Sequence, residues 1–148
     1  FADAMGVSVY YISNRYTNVL SSTIKNLKKL GFPQVKKSHI FLRKNKHHTK
    51  TIRRARVSKT HYICMLVGDN LADFATIFGD EKVPHYAKRA KIVDKYKKLF
   101  GKKFIVLPNP NYGDFLKSIP TFSFKKPQSK RDKVLLDALQ TYGVENQP

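Results

Sequence analysis

Three short, uninterrupted apolar runs separated by helical patterns constrain this chain more than any other feature. Residues 6–13, 62–67 and 103–107 lack the polar alternation of a half-solvated strand. Runs of that length, rich in β-branched and aromatic residues, read as strands buried on both faces. Residues 39–42 form a shorter fourth candidate. Between them lie helical patterns. In residues 17–30, Leu20, Ile24, Leu27 and Leu30 recur at three-to-four spacing on one face. Lys25, Lys28 and Lys29 suit the negative end of that helix, Gly31 its cap and Pro33 its stop. Residues 43–49 read as a polar loop and residues 51–57 as one or two helical turns. Residues 71–78 and 84–100 are also helical. The second has Pro84 at its start, Gly101 just past its end, and Tyr86, Ala90, Val93, Leu99 and Phe100 as its apolar side.

Strands alternating with helices predict an α/β fold, Rossmann-like, with a parallel sheet covered by helices on both faces. Residues 1–120 are expected to form the core. Residues 121–148 are expected to be a connector and a helix over 129–142 packing on it. That helix would bury Val134, Leu135, Ala138 and Leu139, with Ser129 and Asp132 as a capping box.

A chain of 148 residues can bury enough surface to fold without staples. Its single cysteine, Cys64, excludes an intrachain disulfide. Placed inside an apolar strand, it is expected to be a buried, inert thiol. No apolar run approaches the ~20 residues of a membrane helix, and the first residues do not resemble a signal peptide. A first residue that is Phe rather than Met suggests a processed product or a piece of a longer chain.

Charge is high and uneven. There are 29 Lys and Arg against 10 Asp and Glu, a net charge of +19. Fourteen of the basic residues, and no acidic one, lie between Ala4 and Gly68. Such a field draws polyanions, although a lysine-rich solvated surface has the same composition. It allows a basic module that binds nucleic acid or an anionic surface. No paired zinc ligands or RNA-binding signature accompany it. His47 and His48 are adjacent, which is not metal-ligand spacing.

In a parallel sheet the ligand sits beyond the carboxyl ends of the strands. Those ends carry Ser13-Asn14-Arg15, then Gly68-Asp69-Asn70-Leu71-Ala72-Asp73-Phe74, then Pro108-Asn109-Pro110-Asn111-Tyr112-Gly113-Asp114. A serine hydroxyl and turn amides can hold a phosphate oxygen. Asp69 and Asp73 offer two hard carboxylates suited to Mg²⁺. Lys50 is a compact cation suited to phosphate. Each signal alone has an ordinary reading as a cap, a turn or surface.

Four blocks in order are more specific: Tyr11-Ile12-Ser13-Asn14-Arg15, Asn26-Leu27-Lys28-Lys29-Leu30-Gly31-Phe32, Val67-Gly68-Asp69-Asn70-Leu71-Ala72-Asp73-Phe74, and residues 100–109. From Phe1 to about Phe115 the chain resembles the class C acid phosphatases, lipoprotein 5′-nucleotidases of the haloacid dehalogenase superfamily. The resemblance implies a Mg²⁺-dependent hydrolysis of phosphomonoesters, nucleotides or aryl phosphates, through an aspartyl-phosphate intermediate. It implies that Ser13 binds the phosphoryl group, with Asn14 and Arg15 beside it. It makes Lys50 the lysine that neutralises charge, with Lys44 and Lys46 on the same loop. Asp69 becomes a metal ligand, Asp73 its partner, and Tyr112 an aromatic stacking on the leaving group. It further implies a homodimer, a cell-envelope location, no specific nucleic-acid partner, and membrane contact only through an upstream lipid anchor.

The chain departs from that family in one respect. The first motif, Asp-x-Asp-x-Thr, which holds nucleophile and general acid, occurs nowhere in the 148 residues. The expectation is therefore a phosphatase fold incomplete at its N-terminus, with two unpaired sheet edges or a gap in the core, inactive alone. A pseudoenzyme that keeps the phosphate pocket is the other reading of the same departure.

Overall fold

A computed structural model describes residues 1–46, 48–79, 85–109, 111 and 113–138. The chain divides into two compact units, Phe1–Cys64 and Met65–Pro148.

The first unit is a strand–helix–strand. Strand β1 (Tyr11–Tyr16) lies parallel to β2 (Ile40–Arg43), and helix α1 (Leu20–Lys29) connects them. Tyr11, Ile12 and Ser13 pair with Ile40, Phe41 and Leu42, and the register then shifts before Tyr16 meets Arg43. Helix α1 ends as its sequence predicts. Gly31 takes φ +73°, its N–H donates to the Lys28 carbonyl (3.0 Å), and the Phe32 N–H donates to the Leu27 carbonyl (3.1 Å). This pair of bonds defines a Schellman turn, whose left-handed residue glycine adopts without steric cost. Helix α2 (Lys50–Ser58) follows a Thr49 cap, whose hydroxyl accepts from the Ile52 N–H (3.4 Å). Ile40, Leu42 and Val57 are buried. Ahead of β1, Tyr10 stacks on His39 (4.5 Å between centroids), and His39 Nδ1 lies 2.8 Å from the Val9 carbonyl.

The second unit repeats the parallel pairing. Strand β3 (Leu66–Gly68) runs beside β4 (Phe104–Val106), with Leu66, Val67 and Gly68 opposite Phe104, Ile105 and Val106. Two short 3₁₀ turns (Leu71–Asp73 and Thr76–Phe78) and helix α3 (Tyr86–Lys95) connect them. Helices α4 (Phe115–Ser118) and α5 (Gln128–Ala138) follow. The core is aromatic. Phe78 is fully buried, and Phe74 and Phe104 nearly so; Leu66, Leu71, Ile92, Val93, Tyr96, Leu99 and Phe100 pack around them. Phe74 stacks on Phe104 at 5.1 Å, and Phe78 meets Tyr96, Phe100 and Phe104 edge-on at 6.1, 6.1 and 6.4 Å. Both are favoured aromatic geometries.

Several expectations change. The ladders are shorter than the apolar runs, because pairing begins only at Tyr11 and Leu66. Residues ahead of the second ladder are therefore uncovered, with Tyr62 85% and Met65 53% exposed. Cys64 lies in that uncovered stretch, so the expected buried thiol is an exposed one. The stretch expected to be helical over 71–78 forms two 3₁₀ turns. The α3 pattern breaks at Tyr96, where a separate 3₁₀ turn (Lys97–Leu99) takes over. Helix α5 starts at Gln128, which places Ser129 inside the helix rather than at its cap. Val134 and Leu135 are half-buried there and Ala138 is exposed. Pro84, Leu139 and Tyr112 lie outside the described residues. No described helix is long and apolar enough to cross a membrane.

Candidate functional site

In the first unit the candidate phosphate-binding residues gather around one buried arginine. Arg53 is fully buried on α2. Its guanidinium Nη1 donates to the carbonyls of Ser13 and Phe41 (3.2 Å to the latter), and Nη2 donates to Asn14 Oδ1 (2.6 Å). Nε donates to the Thr49 carbonyl (3.0 Å). One fork thus ties the end of β1, the middle of β2 and the cap of α2 together. A rigid planar set of donors suits this role where a lysine would not.

Ser13 is half-buried, and its Oγ accepts from the Arg15 N–H (3.3 Å). Asn14 and Arg15 are exposed, with the Asn14 amide oriented by Arg53. Lys50 is half-buried at the first position of α2. Arg53 therefore holds both the Ser13–Asn14 backbone and the turn that presents Lys50. The sequence offers no mark that separates it from the other basic residues nearby.

The loop ahead of α2 carries a pH-sensitive contact. His48 Nδ1 accepts from the Lys44 N–H (3.3 Å), which requires the neutral ring. Burial, then Arg53 and Lys44, push the His48 imidazole below its ordinary range, and a backbone hydrogen bond at Leu42 opposes them. The unfolded chain takes up this proton first as pH falls. Stability is therefore fully present above about pH 6.5 and declines as pH drops below it towards the folded-state value. Denaturant midpoints between pH 7.5 and 5.5 should show this decline in the wild type. A His48→Gln variant with the same slope would remove His48 as its source.

In the second unit the loop after β3 is built around carboxylates. The Asn70 side chain accepts from the Ala72 N–H (3.3 Å), and Asp73 Oδ2 accepts from the Asn70 N–H (3.2 Å). These reciprocal bonds form a capping box on the 3₁₀ turn. Asp69 is exposed at the strand end, and its Oδ2 accepts from Asn109 Nδ2 (2.6 Å). Asn109 follows β4, anchored where the Leu107 N–H donates to the Gly68 carbonyl (2.8 Å). Asn109 lies in the strand-end run that the sequence singles out, but its task of orienting Asp69 emerges only from the pairing of β3 with β4.

Gly68 makes the capping box possible. A Cβ at this position would stand 2.5 Å from Asp73 Oδ2 and 2.7 Å from Asp73 Cβ. Gly68→Ala must push the Asp73 side chain away and break its bond to Asn70. The expected cost is about 1–3 kcal/mol, the range for overpacking, with faster hydrogen exchange at the Asn70 amide. An unchanged Asn70 exchange rate would show that the loop absorbs the methyl elsewhere.

The donor chemistry is that of hard oxygen ligands. Among the described residues no group of three or more His, Cys, Asp or Glu side chains converges, so there is no all-protein cage. Mg²⁺ takes one or two carboxylates and keeps several waters. An exposed Asp69, oriented through one oxygen, fits that demand, with Asp73 four residues on.

These features meet in one family. A family model of the haloacid dehalogenase (HAD) superfamily, subfamily IIIB (acid phosphatase), matches residues 1–115. The chain belongs to that family. Its α/β fold with parallel strands is the one seen in solved members. The class C acid phosphatase from Bacillus anthracis is 42% identical, with a TM-score of 0.83 over 96% of this chain. A second structure of that protein, with tungstate bound, gives 42% identity and a TM-score of 0.84. In both cases the chain spans 58% of the length of the relative.

Proposed function

We propose that this chain supplies the phosphate-binding and metal-binding motifs of a Mg²⁺-dependent phosphomonoesterase acting on aryl phosphates or 5′-nucleotides. The observation that carries this reading is the fixing of two strand-end groups by dedicated partners: Ser13 by Arg53 and Asp69 by Asn109. Family membership supports it. So does the tungstate held by the Bacillus anthracis enzyme, since tungstate shares the tetrahedral oxyanion shape of phosphate.

In this reading the Ser13 hydroxyl and the neighbouring amides hydrogen-bond the phosphoryl oxygens. Asn14 and Arg15 border them. Lys50 balances the charge of the phosphoryl group and of the attacking carboxylate. Asp69 holds Mg²⁺, and Asp73 orders its surroundings. When bound, the ion supplies Lewis-acid stabilisation of the phosphoryl oxygens. Tyr112 stacks on the leaving group. Phosphoryl transfer depends on positioning and charge neutralisation more than on covalent work by most of these groups. The nucleophile is an aspartate, phosphorylated and then released by water. It must come from an Asp-x-Asp-x-Thr segment, which these 148 residues do not contain.

The test is release of phosphate from 4-nitrophenyl phosphate and from a 5′-nucleotide with Mg²⁺. The 148-residue chain should release no more than its Ser13→Ala/Asp69→Asn variant. Extended by an in-frame strand ending in Asp-x-Asp-x-Thr, it should turn over, and Asp69→Asn in that context should remove activity. Turnover by the 148-residue chain above the double variant would refute the need for the added segment. An active extended chain indifferent to Asp69→Asn would refute the metal-site assignment.

A further inference from the structure

Helix α3 buries a cation that has little to bind. Arg89 is 6% exposed. Among the described residues, its Nε and Nη1 have no hydrogen-bond partner. Nη2 makes only a long contact, 3.4 Å, to Asn70 Oδ1. That Asn70 oxygen already accepts from Ala72 in the capping box. Burial lowers the proton affinity of Arg89, and the Asp114 carboxylate opposes this only in part. The Asp114 carboxylate is itself bonded to Lys117 Nζ (3.0 Å). A desolvated guanidinium with two idle nitrogens is costly, and proteins retain such a group where something pairs with it.

The place where Arg89 sits suggests what pairs with it. It lines a cleft of about 510 Å³ within the second unit, inside the range typical of small-molecule sites. The cleft wall is mostly apolar and includes Leu71, Val93, Val106 and Phe115. Val106 is 49% and Phe115 38% exposed, so these side chains remain available to cover a ligand. An apolar wall around one buried, under-bonded cation selects for a molecule with an anionic head and an apolar body.

We propose that this cleft binds a small organic anion, with its carboxylate or phosphate oxygens on Arg89 and its apolar body against Val93, Val106 and Phe115. The arrangement uses none of Ser13, Lys50 or a metal ion. It therefore stands whether or not the chain takes part in phosphoryl transfer. Asp94 and Lys97 also border the cleft but pair with each other (3.0 Å). Asp69, the metal-ligand candidate above, borders it as well, and its charge disfavours a bare, highly charged anion and favours a head that reaches Arg89 while the rest of the molecule stays apolar.

The test is binding by the full chain in EDTA, without turnover, read by titration calorimetry and by the arginine Nε–Hε resonances in NMR. The probes are 4-phenylbutyrate, phenyl phosphate, inorganic phosphate and the neutral 4-phenylbutanol. At least one organic anion should bind and shift one arginine Nε–Hε signal that is absent in Arg89→Met. The alcohol should bind about tenfold or more weakly, the value of a charge-assisted hydrogen bond. The two organic anions separate a carboxylate site from a phosphomonoester site. Arg89→Met should lose at least the same factor, and Arg89→Lys should recover part of it.

A purely structural arginine would behave differently. Removing a partnered buried charge destabilises a protein, whereas replacing an unpaired one by an apolar side chain is neutral or stabilising. The thermal midpoint of Arg89→Met should therefore stay level or rise. Three results would each overturn the proposal: no binding of either organic anion, equal binding of the alcohol, or unchanged binding by Arg89→Met. If Arg89→Met fails to fold, the proposal is likewise overturned, because Arg89 then has a structural partner.

Discussion

Truncating Phe78 to alanine removes about 3–5 kcal/mol from the stability of the Met65–Pro148 unit. Phe78 is fully buried. It meets three other rings edge-on, so the truncation loses both transfer free energy and contacts along a cavity wall. A typical domain has only about 5–15 kcal/mol in total. The loss is therefore a large share of what holds such a unit folded. Tyr96 packs against Phe78, so guanidinium titrations followed by the Tyr96 ring resonances in NMR report on the damaged region. Phe78→Leu should recover much of the loss. A shift in Phe78→Ala worth less than about 1 kcal/mol would mean that the cluster is loosely packed or collapses around the cavity.

Arg53→Met should be the most damaging change in the first unit. Four acceptors lose their donor at once: the carbonyls of Ser13, Phe41 and Thr49 and the Asn14 side chain. Each buried acceptor left unsatisfied costs about 1–3 kcal/mol, so a total of about 3 kcal/mol or more is expected. The methionine fills part of the space but donates nothing. Arg53→Lys keeps the charge with three donors on one atom, which cannot span β1, β2 and the α2 cap together; it should restore only a minority of the loss. Hydrogen exchange should quicken at Arg15, whose amide bonds Ser13 Oγ. A marginal effect on the denaturant midpoint, with unchanged Arg15 exchange, would show that the Ser13 turn is held by the β1–β2 ladder alone.

Much of the architecture could be read from residue pattern. The Leu20, Ile24 and Leu27 spacing placed α1, and Gly31 and Phe32 close it as a Schellman turn. The apolar runs located the four strands found among the described residues. Their extent was not legible, because an apolar run records a tendency to be buried and not how many neighbours arrive to bury it. Cys64 shows this: its neighbours are apolar, yet the ladder starts two residues later and leaves it exposed. Helix lengths differ for a similar reason. The pattern over 84–100 is continuous in hydrophobicity, but the backbone bonds change type at Tyr96.

The candidate site was half legible. Ser13, Asp69 and Asp73 stand out because strand ends in α/β folds are where ligands bind and because their chemistry is distinctive. The side chains that hold them do not stand out. Arg53 is one of fourteen basic residues between Ala4 and Gly68, and only its burial among carbonyls distinguishes it. Arg89 lies three residues after Tyr86 and four before Val93, on the apolar stripe of its helix, and the fold buries it with that stripe. Long-range pairings such as Asn109 with Asp69 depend on strand register, which composition does not encode.

The two parallel ladders also bear on how the chain reaches its structure. Tyr11 pairs with Ile40 and Leu66 with Phe104, so the closing segments are roughly 30 and 40 residues long. Loop-closure entropy for those lengths differs by only about 0.2 kcal/mol. Topology therefore gives neither half a head start, and contact order alone would have them form at similar rates. The difference must come from what rewards closure. The second ladder gathers the aromatic cluster, whereas the first closes on Ile40, Leu42 and the carbonyls bound by Arg53. Collapse driven by apolar burial should order the Met65–Pro148 half first, leaving the half that carries Ser13 and Lys50 to wait for the slower organisation of a polar network.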